Sequence, residues 1–363
     1  MIRSKLIKWL KWGLACCMLV PFLAWQAKDT SFQPTDTKGF IAEMQKQFAE
    51  VQTIKKKENH REELERKVRD THRMLMHDYP VYYDWWLQDG NDAKDIKDGK
   101  DVNWFRGSFS RQLSLRMQKL NITTAVNDTP ESIEAAFQSY LKACERRRAE
   151  RLETFTANQP EIVFTKFRTL RPSFFAYTEG VSDARAECNY FAGGSLSKIK
   201  MNGIWAEEET LLTDEDGVYR DPNLHFDGQH LLFSWKKSAK DDDFHLYEMN
   251  LKTRAVKQLT FGKGHADIEG IYLPDENILF NSTRSGSAVD CWFTEVSNMY
   301  LCDREGRYMR QVGFDQVHTT TPTLLDDGRV VYTRWDYNDR GQVWAQPLFQ
   351  MNPDGTGQAE YYG

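Results

Sequence analysis

The sequence predicts a mainly β chain: a partial or open β-propeller of about four blades, preceded by an α-helical N-terminal region and a signal peptide. Three observations predict it. From Ile162 onward, short alternating β-rich stretches are broken by Gly, Asp and Pro, and the same wording returns every ~50 residues. Between residues 36 and 158, apolar residues fall at helical spacing instead. Ahead of both lies a basic start followed by an apolar run. The 363 residues are 40% hydrophobic, 13% aromatic and 28% charged, which supports a sizeable core and excludes a largely disordered chain. A net charge of −5 gives no electrostatic case for nucleic acid.

Residues 1–27 come first. Arg3, Lys5, Lys8 and Lys11 precede an apolar run of 14 residues, Trp12 to Trp25, shorter than the ~20 that span a membrane. A small residue follows at Ala27. The expectation is a cleaved secretory signal peptide. An uncleaved membrane anchor is the alternative, because Trp25 stands where cleavage favours a small residue. Membrane contact is expected only through this segment, and only if it stays. In an oxidising compartment Cys291 and Cys302, 11 residues apart on neighbouring expected strands, are the candidate disulfide. The alternative is that Cys144, Cys188, Cys291 and Cys302 are all free and buried.

In the helical region, 36–158, Phe40, Met44, Phe48, Val51 and Ile54 share one helix face. The stretch Lys55–Arg69 reads as a solvated, charge-dense helix with Leu64 and Val68 as its apolar contacts. Helix signals stop near Tyr79-Pro80. The aromatic cluster from Val81 to Leu87 is expected to pack a helix against a neighbouring unit, with sugar or partner binding as the alternative. Asp89–Asp101 reads as a flexible connection, its likeness to a calcium loop being superficial. A second helix opens with Thr129 as N-cap and Pro130 at its first position, and ends before Asn158-Gln159-Pro160.

The repeats occupy 160–363, at about 160–213, 214–262, 263–315 and 316–363. Phe226-Asp227-Gly228-Gln229-His230-Leu231-Leu232-Phe233 returns as Pro274-Asp275-Glu276-Asn277-Ile278-Leu279-Phe280 and as Asp326-Asp327-Gly328-Arg329-Val330-Val331-Tyr332. Phe233, Phe280 and Tyr332 are 47 and 52 residues apart, and each should face a neighbouring sheet. Tyr247, Tyr300 and Phe349 mark a second phrase, 53 and 49 apart. A degenerate first copy runs from Ile162 through Leu196 to Thr213. Four strands per unit is a propeller blade, and a β-sandwich is the rival.

The Leu-Tyr-x-Met-Asn, Gln-Leu-Thr and Asp-Gly phrases resemble blades of exported bacterial propellers of the PD40, or TolB-like, type. Arg220-Asp221-Pro222, Leu232 to Ser238, Val289 to Asn298 and Thr333 to Gly341 are more closely similar to a family of large exported bacterial proteins related to the hydrazine synthase alpha-subunit. The resemblance covers about 160–363. It implies a periplasmic or secreted protein, or one anchored to the inner membrane. The synthase subunit binds c-type haem, but this chain has no CxxCH, so no covalent haem is expected. Family members are mostly longer. The chain is therefore expected to be a shortened member, or one that closes its propeller by pairing with another chain.

Aligning the repeats places Arg220 and Asp221, then His265, Asp267 and Glu269, then His318, where loops lead into the innermost strands. Mixed His and carboxylate there suit a divalent metal or a polar ligand. Loop capping is the alternative. Arg334, Asp336, Asp339 and Arg340 around Trp335 read as an ion-pair network between blades. No GxSxG elbow, P-loop, HExxH or dinucleotide fingerprint occurs. The expected function is an exported binding or assembly module with a protein or polysaccharide partner. The alternatives are a metal-dependent lyase or hydrolase at the channel mouth, and a fragment without function of its own.

Overall fold

The computed structural model describes residues 36–90, 105, 107–158, 161–168, 190–289, 295–337 and 346–363. The expected leader, most of the calcium-like loop, Cys188, Cys291, Asp339 and Arg340 lie outside them. Among the described residues five helices come first: α1 (Thr37–Ile54), α2 (Arg61–Asp78), α3 (Pro80–Gly90), α4 (Phe109–Lys119) and α5 (Pro130–Asn158). Asp36 accepts from Gly39 N at the start of α1, and Thr129 Oγ1 accepts from Ser132 N (3.3 Å) at the start of α5, as its sequence predicts. Phe40, Met44, Phe48, Val51 and Ile54 are buried together.

Two expectations need correction. The charged stretch from Lys55 is not helical throughout: Asn59 takes φ 57°, and α2 starts only at Arg61. Tyr79-Pro80 does not end the helices either. Tyr79 caps α2 and Pro80 opens α3, a position where its missing N–H leaves no bond unmade. Tyr82, Tyr83, Trp85 and Trp86 of α3 are buried, and Trp85 lies 5.9 Å from Trp205 of the first sheet. Arg148 reinforces that junction by donating to Ile204 O (2.7 Å). Among the described residues, no helix is long and apolar enough to cross a membrane.

Four antiparallel sheets follow. Among the described residues the first has three strands, β1 (Glu161–Phe167), β2 (Gly194–Asn202) and β3 (Trp205–Asp214). The second is β4 (Val218–Leu224), β5 (His230–Lys236), β6 (His245–Asn250) and β7 (Val256–Gln258). The third is β8 (Asp267–Tyr272), β9 (Ile278–Ser282), β10 (Asn298–Cys302) and β11 (Arg310–Gln311). The last is β12 (Thr319–Leu324), β13 (Val330–Arg334), β14 (Leu348–Met351) and β15 (Ala359–Tyr362). Each four-stranded sheet is a meander whose first strand is innermost: β4 lies beside β8, and β8 beside β12. That is the arrangement of propeller blades.

Strand alternation builds the core between sheets. Phe233 packs back on Leu196 and Leu211 of the first sheet, while Leu232 packs forward on Tyr272 and Phe280 of the third. Tyr332 likewise packs back on Leu279 and Met299. All three repeat aromatics thus face the preceding sheet, so the second and third sheets are apolar on both sides.

Candidate functional site at the inner strands

Each innermost strand of the four-stranded sheets carries a bulge: between Arg220 and Asn223, between Ile268 and Ile271, and between Thr320 and Thr323. Each bulge holds one residue in the left-handed region: Asp221 (φ 54°), Glu269 (φ 56°) and Thr321 (φ 51°). Such a conformation costs a side-chain-bearing residue about 1–3 kcal/mol, so surrounding contacts must fix it. They do so in a repeated way. Within its own sheet, each residue meets a polar group of the second strand. Ser234 Oγ donates to Asp221 Oδ2 (3.3 Å), and Asn281 Nδ2 donates to Glu269 Oε2 (2.8 Å). The Thr321 and Thr333 hydroxyls lie 3.3 Å apart. Between sheets, Glu269 N donates to Asp221 Oδ2 (3.1 Å) and Thr321 N donates to Glu269 Oε2 (2.6 Å). Gly270 follows Glu269 because a Cβ there would sit 2.8 Å from a Leu232 methyl.

Arg220 completes the junction. Its Nε lies 2.6 Å from Asp221 Oδ2, its Nη2 3.3 Å from Glu269 Oε1, and its Nη1 donates to Tyr190 Oη (3.1 Å). The Arg220 and Glu269 side chains are only 13% and 8% exposed. Burial alone would lower the Arg220 guanidinium, but the Asp221 and Glu269 carboxylates outweigh it and hold its pKa raised. Burial pushes the Glu269 carboxyl up, against the pull of Arg220. Both Glu269 oxygens are occupied by protein donors.

The other expected site residues lie elsewhere. Asp267 is fully buried and accepts from Ser282 Oγ (2.6 Å) and from Arg284 Nε and Nη2 (3.0 and 2.7 Å). Burial would raise its carboxyl, but the bonds from His245 and Arg284 outweigh that and hold it low. His245 bridges Asp267 and Gly262 O (3.0 Å). The half-buried His265 ring stands 6.0 Å from His245, with its Nε2 3.3 Å from Phe261 O. His318 is buried 5.7 Å from the Trp335 ring and nearly parallel to it, and its Nδ1 accepts from Ser297 N (3.1 Å). Desolvation lowers the His318 imidazole to about 4. Its Nε2 has no hydrogen-bond partner.

The six residues expected at one inlet therefore fall into three groups: Arg220 and Asp221 with Glu269, His265 near Asp267, and His318 apart. The bulge explains the first division, because it breaks the two-residue alternation between Asp267 and Glu269. The bulge register explains the second, because Thr321 matches Glu269 and so sets His318 opposite Ala266, not His265. Of the expected disulfide pair, Cys302 is a buried cysteine and Cys291 lies outside the described residues. Cys302 points into the core between the second and third sheets, where burial pushes the thiol up to about 12. In the Trp335 loop, Arg334 pairs with Asp315 (3.1 Å) and Asp336 (3.3 Å).

Sequence reasoning missed one group. His225, Asp227 and His230 lie together in the β4–β5 turn, the only cluster of three or more metal-capable side chains among the described residues. The His-x-Asp-x-x-His spacing was the available signal, hidden inside the repeat wording.

No family model and no curated protein matches the chain. Solved structures do. Hydrazine synthase from Kuenenia stuttgartiensis is similar at 16% identity over 56% of this chain and 32% of that one, with a TM-score of 0.43. TolB from Acinetobacter baumannii is similar at 18% identity over 47% of this chain and 38% of that one, TM-score 0.36. An oligogalacturonate lyase from Vibrio parahaemolyticus is similar at 14% identity over 47% and 52%, TM-score 0.33. The chain spans about a third of the length of the first two. Both protein types that the repeat wording resembles are thus among its structural neighbours.

Proposed function

We propose that this chain is an exported propeller module that binds a partner, protein or polysaccharide, and has no catalytic centre at its inner strands. One observation carries the reading: the carboxylates nearest the inner strands are spent on joining one sheet to the next. Glu269 gives both oxygens to Arg220, Asn281 and Thr321, and Asp221 receives Arg220, Ser234 and Glu269. Carboxylates already engaged by an arginine and by several donors of their own protein are poor candidates for abstracting a proton or binding a metal. Outward contact falls instead to exposed aromatics. Phe261 and Phe314 are 63% and 76% exposed at matched positions of successive repeats. The aromatic face and the absence of catalytic motifs suit recognition.

A second reading is a metal-dependent lyase or hydrolase at the mouth. The observation favouring it is His318, whose buried Nε2 is without a partner. Elemental analysis separates the two. Wild type, His265→Ala and His318→Ala are purified in parallel and their bound metal measured. The module reading expects the same metal content in all three. Loss of one equivalent on either substitution would overturn it in favour of the enzyme.

A further inference from the structure

We propose that the turn between β4 and β5 is a binding site for one divalent transition cation of the zinc class, held by His225, Asp227 and His230. Glu276 of the next sheet stands behind His225 as the group that orients it.

The donor set comes first. His225 Nδ1 lies 3.1 Å from Asp227 Oδ1, and His230 Nδ1 lies 2.7 Å from Asp227 Oδ2. The ligating atoms are all within 4.8 Å of one another. Ligands about 2.0–2.1 Å from a tetrahedral ion sit roughly 3.3 Å apart, so each imidazole stands near that separation from one of the two Asp227 oxygens, and the rings must close toward a shared ion. Two imidazoles and a carboxylate with an open fourth position suit zinc-class ions better than magnesium or calcium, which prefer all-oxygen sets.

The surroundings favour the same assignment. His225 is 5% exposed, and its Nε2 lies 3.1 Å from Glu276 Oε2. Arg304 Nη1 in turn donates to that oxygen (2.9 Å). A proton on Nε2, shared with a carboxylate, leaves the Nδ1 lone pair facing Asp227. Metal-bound histidines are commonly oriented by such a carboxylate.

The chain carries its own comparison, because the same turn occurs three times. Asp227, Asp275 and Asp327 each accept from the backbone N–H two residues on. In each copy one further side chain donates to the Asp Oδ2: His230, Asn277 or Arg329. Turn chemistry therefore explains the aspartate and a donor beside it. It does not explain His225, where the other copies place Leu273 and Leu325. The first turn is also one residue longer: Leu224 pairs with Leu231, whereas Tyr272 pairs with Ile278 and Leu324 with Val330. Both departures from the repeat fall at this cluster. A buried imidazole in place of leucine needs partners for both nitrogens, and Glu276 and the Asp227 N–H supply them in the absence of an ion.

In the arrangement described, protons stand where the cation would. Asp227 N donates to His225 Nδ1 (3.2 Å), and His230 approaches Asp227 from Nδ1 while its Nε2 faces Asn250 Nδ2 (3.3 Å). Metal binding at His230 Nδ1 displaces its contact with Asp227 and moves the ring proton to Nε2. The turn is at the opposite end of β4 from Val218, and the site does not depend on the function proposed above.

The full chain is titrated with Zn2+, and with Co2+ followed by its visible absorption, alongside His230→Gln, His225→Leu and Glu276→Gln. His225→Leu installs the residue of the other two turns, so it should fold with an unchanged Tm in chelator. The expectation is one equivalent in wild type and at least a hundredfold weaker binding in His230→Gln and His225→Leu. Glu276→Gln should weaken binding roughly 10–100-fold. No uptake by wild type overturns the site, as does uptake unchanged in His230→Gln. Metal lost in His318→Ala but kept in His230→Gln would overturn it too, and would place the metal at the mouth instead.

Discussion

The His318 ring is 1% exposed and keeps its Nδ1 lone pair for Ser297 N. An unfolded imidazole titrates near 6.5 and this one near about 4, so between those values the unfolded chain takes the proton and the folded chain does not. Stability from this residue is therefore full above about pH 6.5 and is lost as pH falls toward 4, by up to ~3 kcal/mol. His318→Gln keeps an acceptor for Ser297 and removes that dependence. Urea unfolding at about pH 7 and about pH 4.5 should show a smaller acid loss in the variant than in wild type; equal losses would contradict the assignment. At this scale the sequence exposed residue types but not their company. Asp221, Glu269 and His318 were all legible as polar residues near inner strands. That two of them bond across sheets depends on a positive φ within a bulge, and bulges arise from pairing between strands far apart in the chain.

The outer hairpins show how one element can clamp another. Gly306 has φ 78°, and a Cβ on it would fall 2.1 Å from Leu259 O of the preceding sheet. Gly355 repeats the arrangement with φ 91° against Val312 O at 2.7 Å. Gly306→Ala thus meets both an unfavourable backbone conformation and a fixed carbonyl, and should destabilise by well over ~1 kcal/mol. Gly228→Ala is the control, since φ is 66° but no atom lies within 4 Å of its Cβ position. It should show only the conformational cost of about 1 kcal/mol. Comparable urea midpoints for the two variants would count against the clamp. Gly228, Gly328 and Gly355 were readable because each follows Asp in a recurring phrase, while Gly306 follows Glu305. Two helices were not. Pro80 reads equally as a stop or a first residue, and α4 has only Phe109, Leu113 and Met117 on its buried face within 11 residues, too short a stripe to stand out.

Across the molecule, propeller order was the most legible feature, because a repeat states its own period. The helical region and first sheet meet through Trp85, Trp205 and Arg148, a junction no single segment announces. The Arg220–Glu269 junction joins the second and third sheets, and Glu269 reaches on to the fourth through Thr321 N. Glu269→Ala leaves Asn281 and Thr321 N without their acceptor and strips Arg220 of one carboxylate. Removing one member of a buried pair destabilises by about 3–5 kcal/mol. Glu269→Gln retains an acceptor and should lose less, and equal urea midpoints for the two would argue against the relay. The relay also has a direction. At both junctions the carboxylate belongs to the earlier sheet and the amide to the later one. During synthesis, each acceptor leaves the ribosome about fifty residues ahead of the donor that will find it. The array is therefore suited to growth from its N-terminal side, each new sheet arriving at a surface that already holds its docking point.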